Sequence, residues 1–214
     1  MGATDDYQSS VGEGALTTCD NVLYQTPSMG YAATGACLDA CHDVSDDLDR
    51  MDLLAVTYTQ SAEEWLSEWT TEVGGLPGRT AVVGVEDTTR SAAASSFPAG
   101  EVTGQNHALK SAESPDDLTG IGITLSQHLS SWGGDDTETV LCFDSLTALL
   151  QYVSLERAYR FLHVLTWRTA AVGAHAHFHV DPDAHGERTL ATLTSLFDGV
   201  VETGEGTDRR VRTR

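Results

Sequence analysis

Short apolar runs alternate along the chain with longer stretches that repeat at helical spacing. The runs are residues 21–26 (NVLYQT), 52–59 (DLLAVTYT), 80–85 (TAVVGV), 140–143 (VLCF), 174–180 (AHAHFHV) and 199–202 (GVVE). The most apolar of them show no polar/apolar alternation, the pattern of strands buried on both faces of a parallel sheet. Between them the spacing predicts helices over 34–48, 61–73, 115–132, 154–173 and 187–197. Ser61 is placed to cap the second helix, with Glu63 and Glu64 in its first turn, where the helix dipole favours acids. Pro115 marks the start of the third, whose Ile121, Leu125, His128, Leu129 and Trp132 share a face. The fourth carries the longest apolar stripe: Leu155, Ala158, Phe161, Leu162, Leu165 and Ala170. Strands alternating with helices of this length predict an α/β fold, a three-layer sandwich whose mostly parallel sheet is flanked by helices on both faces. Residues 1–18, polar and rich in Gly, Ser and Thr, read as a flexible arm before a single domain over 19–214. Residues 86–104 show no period, and 204–214 (GEGTDRRVRTR) are able to return as a hairpin partner of the last strand.

Charge narrows the setting. Acidic residues number 32 against 12 basic ones, a net charge of -20, and Lys110 is the only lysine. Self-repulsion on that scale weakens a compact domain in dilute buffer, whereas molar salt shortens the Debye length to about 3 Å and removes most of the penalty. Acidity joined to lysine avoidance predicts a halophilic, salt-accumulating cytoplasm. Such a surface repels nucleic acid, whose binding depends on cationic contacts with phosphate. No run approaches the roughly 18 apolar residues of a membrane span, so the expected place is cytoplasmic, with no membrane partner. Cys19, Cys37, Cys41 and Cys142 lie in or beside apolar segments, which favours buried free thiols over a disulfide framework.

One acid ends the run 140–143. Asp144 therefore stands at the carboxyl end of a central strand, where open α/β sheets bind their ligands. The run followed by Asp144 and Ser145 resembles the Walker B strand of the RecA and KaiC superfamily, and the order of elements over about residues 20–214 is similar to the core of that superfamily, in a form of haloarchaeal type. The resemblance implies a RecA-like sheet and a phosphate loop after the first strand. There Gly30 and Gly35 keep the glycine spacing of G-x-x-x-x-G-K-[ST], but Ala36 stands at the lysine position and Cys37 at that of the metal-holding hydroxyl. Where KaiC-like proteins carry an acidic pair that activates water, this chain has Tyr58-Thr59-Gln60-Ser61; Gln60 is able to orient a water but not to take its proton. With these parts replaced, the resemblance implies a degenerate P-loop protein whose ATPase activity is lost, leaving weak ATP and magnesium binding as the residue of the ancestral role.

The segment 174–185 (AHAHFHVDPDAH) suits a different chemistry. On a strand His175, His177 and His179 point to one face, and Asp181 follows beside the crevice. Alternate imidazoles with a carboxylate form a candidate divalent-metal site; packing between sheet and helix, or a strand that senses nucleotide state as in the resembled superfamily, are the alternatives. Cys37, Cys41 and His42 make a weaker metal pattern, without a second ligand pair nearby. The basic tail, Arg209 to Arg214, reads either as a charged edge strand or as a contact with another subunit. Three functions follow: a non-catalytic regulatory or partner-binding module acting on a protein partner or as a homo-oligomer; a metal-binding protein or metal-dependent enzyme; and a weak nucleotide-responsive switch.

Overall fold

The computed structural model describes residues 16–27, 33–45, 47–85, 107–112, 114–133, 137–203 and 209–214. Gly30 and the aperiodic stretch 86–104 lie outside them. The described strands are β1 (Asn21–Gln25), β2 (Met51–Thr57), β3 (Arg79–Gly84), β4 (His107–Ser111), β5 (Glu138–Asp144), β6 (His175–Val180), β7 (Gly199–Glu202) and β8 (Arg210–Thr213). They form one sheet in the order β4-β3-β2-β5-β6-β1-β7-β8. All neighbours are parallel except β7 and β8, which run antiparallel. The fold is thus the α/β sandwich with a mostly parallel RecA-like sheet, and the tail does return as the last strand's hairpin partner.

Helices α1 (Ala33–His42) and α2 (Ala62–Val73) cover one face of this sheet. Helices α3 (Leu118–Trp132), α4 (Leu146–Tyr152), α5 (Leu155–Ala171) and α6 (Glu187–Thr194) pack against the other. Side chains alternate across each strand, so β5 sends Leu141 and Phe143 into the second core and Val140 and Cys142 into the first. The helix starts follow local chemistry. Ser61 accepts a hydrogen bond from the Glu64 N–H while Glu64 returns one to the Ser61 N–H, a reciprocal capping box.

Several boundaries move. The first helix ends at His42, not at residue 48, because Asp43 turns aside to accept from the Tyr24 hydroxyl at 2.5 Å and to pair with Arg209; Leu48–Arg50 form a separate short 3-10 turn. The third starts at Leu118, since Asp117 takes the capping position and accepts from the Gly120 N–H at 2.9 Å. The fifth expected helix, α6, stops at Thr194, although Phe197 beyond it is buried. Ala170 is exposed. The buried stripe of α5 passes instead through Thr166 and Thr169, where Thr169 donates to the Asn21 side chain at 2.6 Å and Asn21 donates to the Thr166 carbonyl at 3.1 Å. Two elements escaped the pattern. β4 is a short edge strand with exposed Lys110 and Ser111, and α4 follows β5 so closely that its LTALLQY reads as a continuation of the strand. Within the expected arm, residues 16–18 form a 3-10 turn whose Leu16 is buried with Val22 and Tyr24.

Candidate functional site

β2, β5, β6 and β1 lie side by side in the sheet, and α1 packs on one face of it. Strand register builds the site in rows: Ala55 pairs with Cys142, Cys142 with His177, and His177 with Val22; one step on, Thr57 pairs with Asp144 and Tyr24 with His179. Cys142 and Asp144 on β5, and His177 and His179 on β6, point to the α1/α2 face, because residues two apart on a strand share a face. On α1, Thr34, Cys37 and Cys41 lie at helical spacing and are wholly buried toward the sheet.

Asp144, 7% exposed, accepts one hydrogen bond from the Thr59 hydroxyl at 2.8 Å. Burial raises its pKa, and the Thr59 bond offsets this only in part. Ser145 is engaged otherwise: its hydroxyl caps α4, accepting from the Ala148 N–H at 3.1 Å. The Gln60 N–H approaches the Thr57 hydroxyl at 3.4 Å, and its side-chain Nε2 is buried without a hydrogen-bond partner. Gly35 and Ala36 occupy the first turn of α1, half-buried, and Thr34 is tied to α2 by a hydrogen bond to Glu68 at 3.1 Å. Ala36 has no cation to offer a phosphate, and Cys37 presents sulfur where Mg²⁺ prefers oxygen.

The histidine strand divides. His177 and His179, 3% and 5% exposed, enter the core together. Their rings meet edge to face at 5.2 Å, and Tyr24 stacks on His179 at 5.3 Å. Burial pushes the His179 pKa down to about 4; burial and then His179 hold His177 well below the ordinary imidazole range. His175, half-buried, sets its Nδ1 3.3 Å from the Cys19 carbonyl oxygen. Asp181 caps the 3-10 turn Pro182–Ala184, accepting from the Asp183 N–H at 2.9 Å. The candidate set His175, His177, His179 and Asp181 is therefore not brought together as a unit. Nor is the Cys37, Cys41 and His42 pattern, since His42 is exposed.

In their place the fold assembles a different group. Donor atoms of Cys37, Cys41 and His177 lie within 4.8 Å of one another, as do those of Cys142, His177 and His179. The Cys37 thiol hydrogen-bonds with both Cys41 and Cys142, and burial first, then these thiols, raise its pKa well above the usual value. All four cysteines are free thiols. Cys142 is the member that sequence reasoning missed, because within an apolar run a cysteine is indistinguishable from a small hydrophobe. The tail also finds partners within its own chain: Arg209 pairs with Asp43, Arg212 with Glu202, and Arg214 donates to the Ser195 carbonyl at 3.1 Å.

Comparison with known proteins bears on the fold. The model of a family of unknown function, DUF7504, matches residues 20–203. No curated protein matches the sequence. The structure is similar to the KaiC-like protein PH0186 from Pyrococcus horikoshii OT3, at 13% identity, 91% of this chain, 78% of that one and a TM-score of 0.53. It is similar to the uncharacterized protein PH0321 from Pyrococcus horikoshii, solved with an unknown peptide, at 13% identity, 90% and 82% coverage and a TM-score of 0.56. A third likeness is to the Pyrococcus horikoshii OT3 protein of project PH0250, at 12% identity, 91% and 86% coverage and a TM-score of 0.53. At these identities the likeness is one of fold. Among the described residues no helix is long and apolar enough to cross a membrane.

Proposed function

Because the chain belongs to DUF7504, a family of unknown function, and folds like KaiC-type proteins, we propose that it is a non-catalytic RecA/KaiC-like module that acts by binding a partner. The observation that carries this reading is Cys37. The residue at the place of the metal-holding hydroxyl is wholly buried among thiols, and Ala36 precedes it in place of a lysine. Thr59 and Gln60 replace the water-activating acids, and Thr59 occupies an oxygen of Asp144. Each lost group contributes on the order of 3 kcal/mol to transition-state stabilisation in working enzymes, so their joint loss leaves no useful turnover. Phosphate release by the pure protein in molar KCl is expected to stay at the buffer level. Turnover that disappears in Asp144→Asn would reverse the reading. A rise in melting temperature on adding magnesium ATP would favour the nucleotide-responsive switch instead.

The partner surface lies on the opposite layer. A groove of about 980 Å³ between α3 and α5 exposes Ile123, Val164 and Trp167, the last 67% exposed, beside Arg157, Arg160 and Arg168. On a chain of net charge -20 this cationic, apolar groove complements the chain's own acidic faces, and the outer side of α2 carries exposed Glu63, Glu64, Glu68 and Glu72. Because groove and acids sit on opposite layers, the contact is head to tail between copies. We expect light scattering in molar KCl to give an oligomer for the wild type and a monomer for Val164→Asp with Trp167→Glu; a monomeric wild type would reject this surface.

A further inference from the structure

The thiol and imidazole group inside the α1/α2 face has a donor set that general packing does not require. Three cysteines from two elements, α1 and β5, converge on two histidines of β6, and Cys37, Cys41 and Cys142 are wholly buried. Nε2 of His177 and both ring nitrogens of His179 are buried without a hydrogen-bond partner. A neutral imidazole carries one N–H donor and one acceptor, and a buried polar group without a partner costs about 1–3 kcal/mol. An apolar side chain of similar shape would avoid that cost, as Phe178 and Leu141 do on the other face of the same strands.

We propose that Cys37, Cys41, Cys142 and His177 bind one thiophilic metal ion of the zinc class, with His179 in reach on the Cys142 side. Cys37 and Cys41 are one helical turn apart, so both sulfurs face the same point of the sheet; the register of β5 with β6 sets Cys142 directly beside His177. His177 belongs to both groups of donors that lie within 4.8 Å, and it joins the α1 thiols to the β5 thiol. Tetrahedral coordination with metal–sulfur bonds of about 2.3 Å and metal–nitrogen bonds of about 2.0 Å needs donors about 3.5 Å apart, an inward movement on the ångström scale. Loading converts three thiols to thiolates and releases three protons; a divalent ion with three thiolates and one neutral imidazole leaves a unit of charge -1. Sulfur donors select against magnesium and calcium, which prefer oxygen, so the site is separate from any ancestral magnesium role. The ion would join α1, β5 and β6, elements far apart in sequence, and its binding energy would add to folding.

The test uses the full chain purified in molar KCl from zinc-supplemented culture without chelator. About one zinc per chain is expected, released in step with modification of the thiols by an organomercurial. Protein refolded with Co²⁺ under reducing conditions should show thiolate-to-cobalt charge-transfer absorption together with tetrahedral d–d bands. Cys37→Ser with Cys142→Ala should lose the ion, while His175→Gln with Asp181→Asn should keep it. No metal in the wild type and no cobalt spectrum would overturn the proposal. So would a cobalt spectrum without the thiolate band, or an ion kept by the cysteine variant and lost with His175 and Asp181. The wild-type cobalt spectrum reports the donor atoms directly, so the proposal stays testable even where the cysteine variant fails to fold.

Discussion

The two faces of the sheet solve the same packing problem with different chemistry. On the face covered by α3 to α6, Phe143, Phe178, Phe161 and Phe197 meet at ring distances of 5.0 to 6.2 Å amid leucines and valines. On the face covered by α1 and α2, the same strands supply Cys142, His177, His179 and Tyr24 against Cys37, Cys41 and the stacked pair Trp65 and Trp69. Among the described residues each face also carries one buried carboxylate. Asp52, on the apolar side, is fully answered: it pairs with Arg79, accepts from Thr137 at 2.6 Å and takes the Arg79 N–H at 3.0 Å. Burial pushes its pKa up, but the Arg79 and Thr137 hydrogen bonds outweigh this and leave it below the ordinary carboxylate value. Asp144, on the other side, has one hydroxyl and a raised pKa. One face is arranged for stability, and the other keeps polar groups that stability alone does not call for.

Adjacent residues of β5 expose that difference most strongly. Phe143→Ala removes a fully buried ring and should lower stability by about 4 kcal/mol in denaturant melts. Cys142→Ala, one residue earlier, should cost about 1 kcal/mol in metal-free protein, since it deletes a single small group. Equal losses at both positions would erase the distinction between the faces.

The two acids come next. Asp52→Asn should cost about 2–3 kcal/mol at neutral pH, because Arg79 loses its charged partner in a partly exposed setting. That cost should shrink as pH falls. A carboxylate with a lowered folded pKa contributes stability above its unfolded value near 3.8, and this is lost as pH drops through the folded one. Asp144→Asn has the opposite sign. Its raised folded pKa means that ionisation destabilises the fold as pH rises from the unfolded value through the folded one. The variant should therefore gain stability at neutral pH, with the gain vanishing toward pH 4 in a melting-temperature series. A destabilised Asp144→Asn at neutral pH would show that the carboxylate is compensated after all. On the surface of the polar face, Ser61→Ala should cost about 1 kcal/mol by breaking the capping box of α2, and an unchanged melting temperature would show that the cap adds no stability.

Much of the fold was legible because its signals are local. Ser61 before Glu63 and Glu64, the apolar run into Asp144 and the stripe of Leu155, Ala158, Leu162 and Leu165 each announce an element within a few residues. The errors fall where a distant partner takes over a local preference. Asp43 leaves the first helix for Tyr24 and Arg209, and Thr169 enters the core because Asn21 meets its hydroxyl. The site divides along the same line. The resemblance of Ala36, Cys37, Thr59 and Gln60 to the positions of reactive groups in the KaiC-like superfamily rests on order alone. That His177 belongs with Cys142 and Cys41, and not with His175 and Asp181, cannot be read from order.

The sequence by itself determined the alternation of strands and helices and the acidic charge, because these depend on composition and on spacings of two or about four residues. The tertiary structure alone decided which thiols and imidazoles share a volume. Parallel strands adjacent in the sheet are not adjacent in the chain: β5 and β6 meet only after α4 and α5 have crossed over, and β1 joins β6 from the far end of the sequence. A donor cluster assembled in this way leaves no short motif, since every pair of ligands but Cys37 with Cys41 and His177 with His179 is brought together by the sheet or by α1 packing on it.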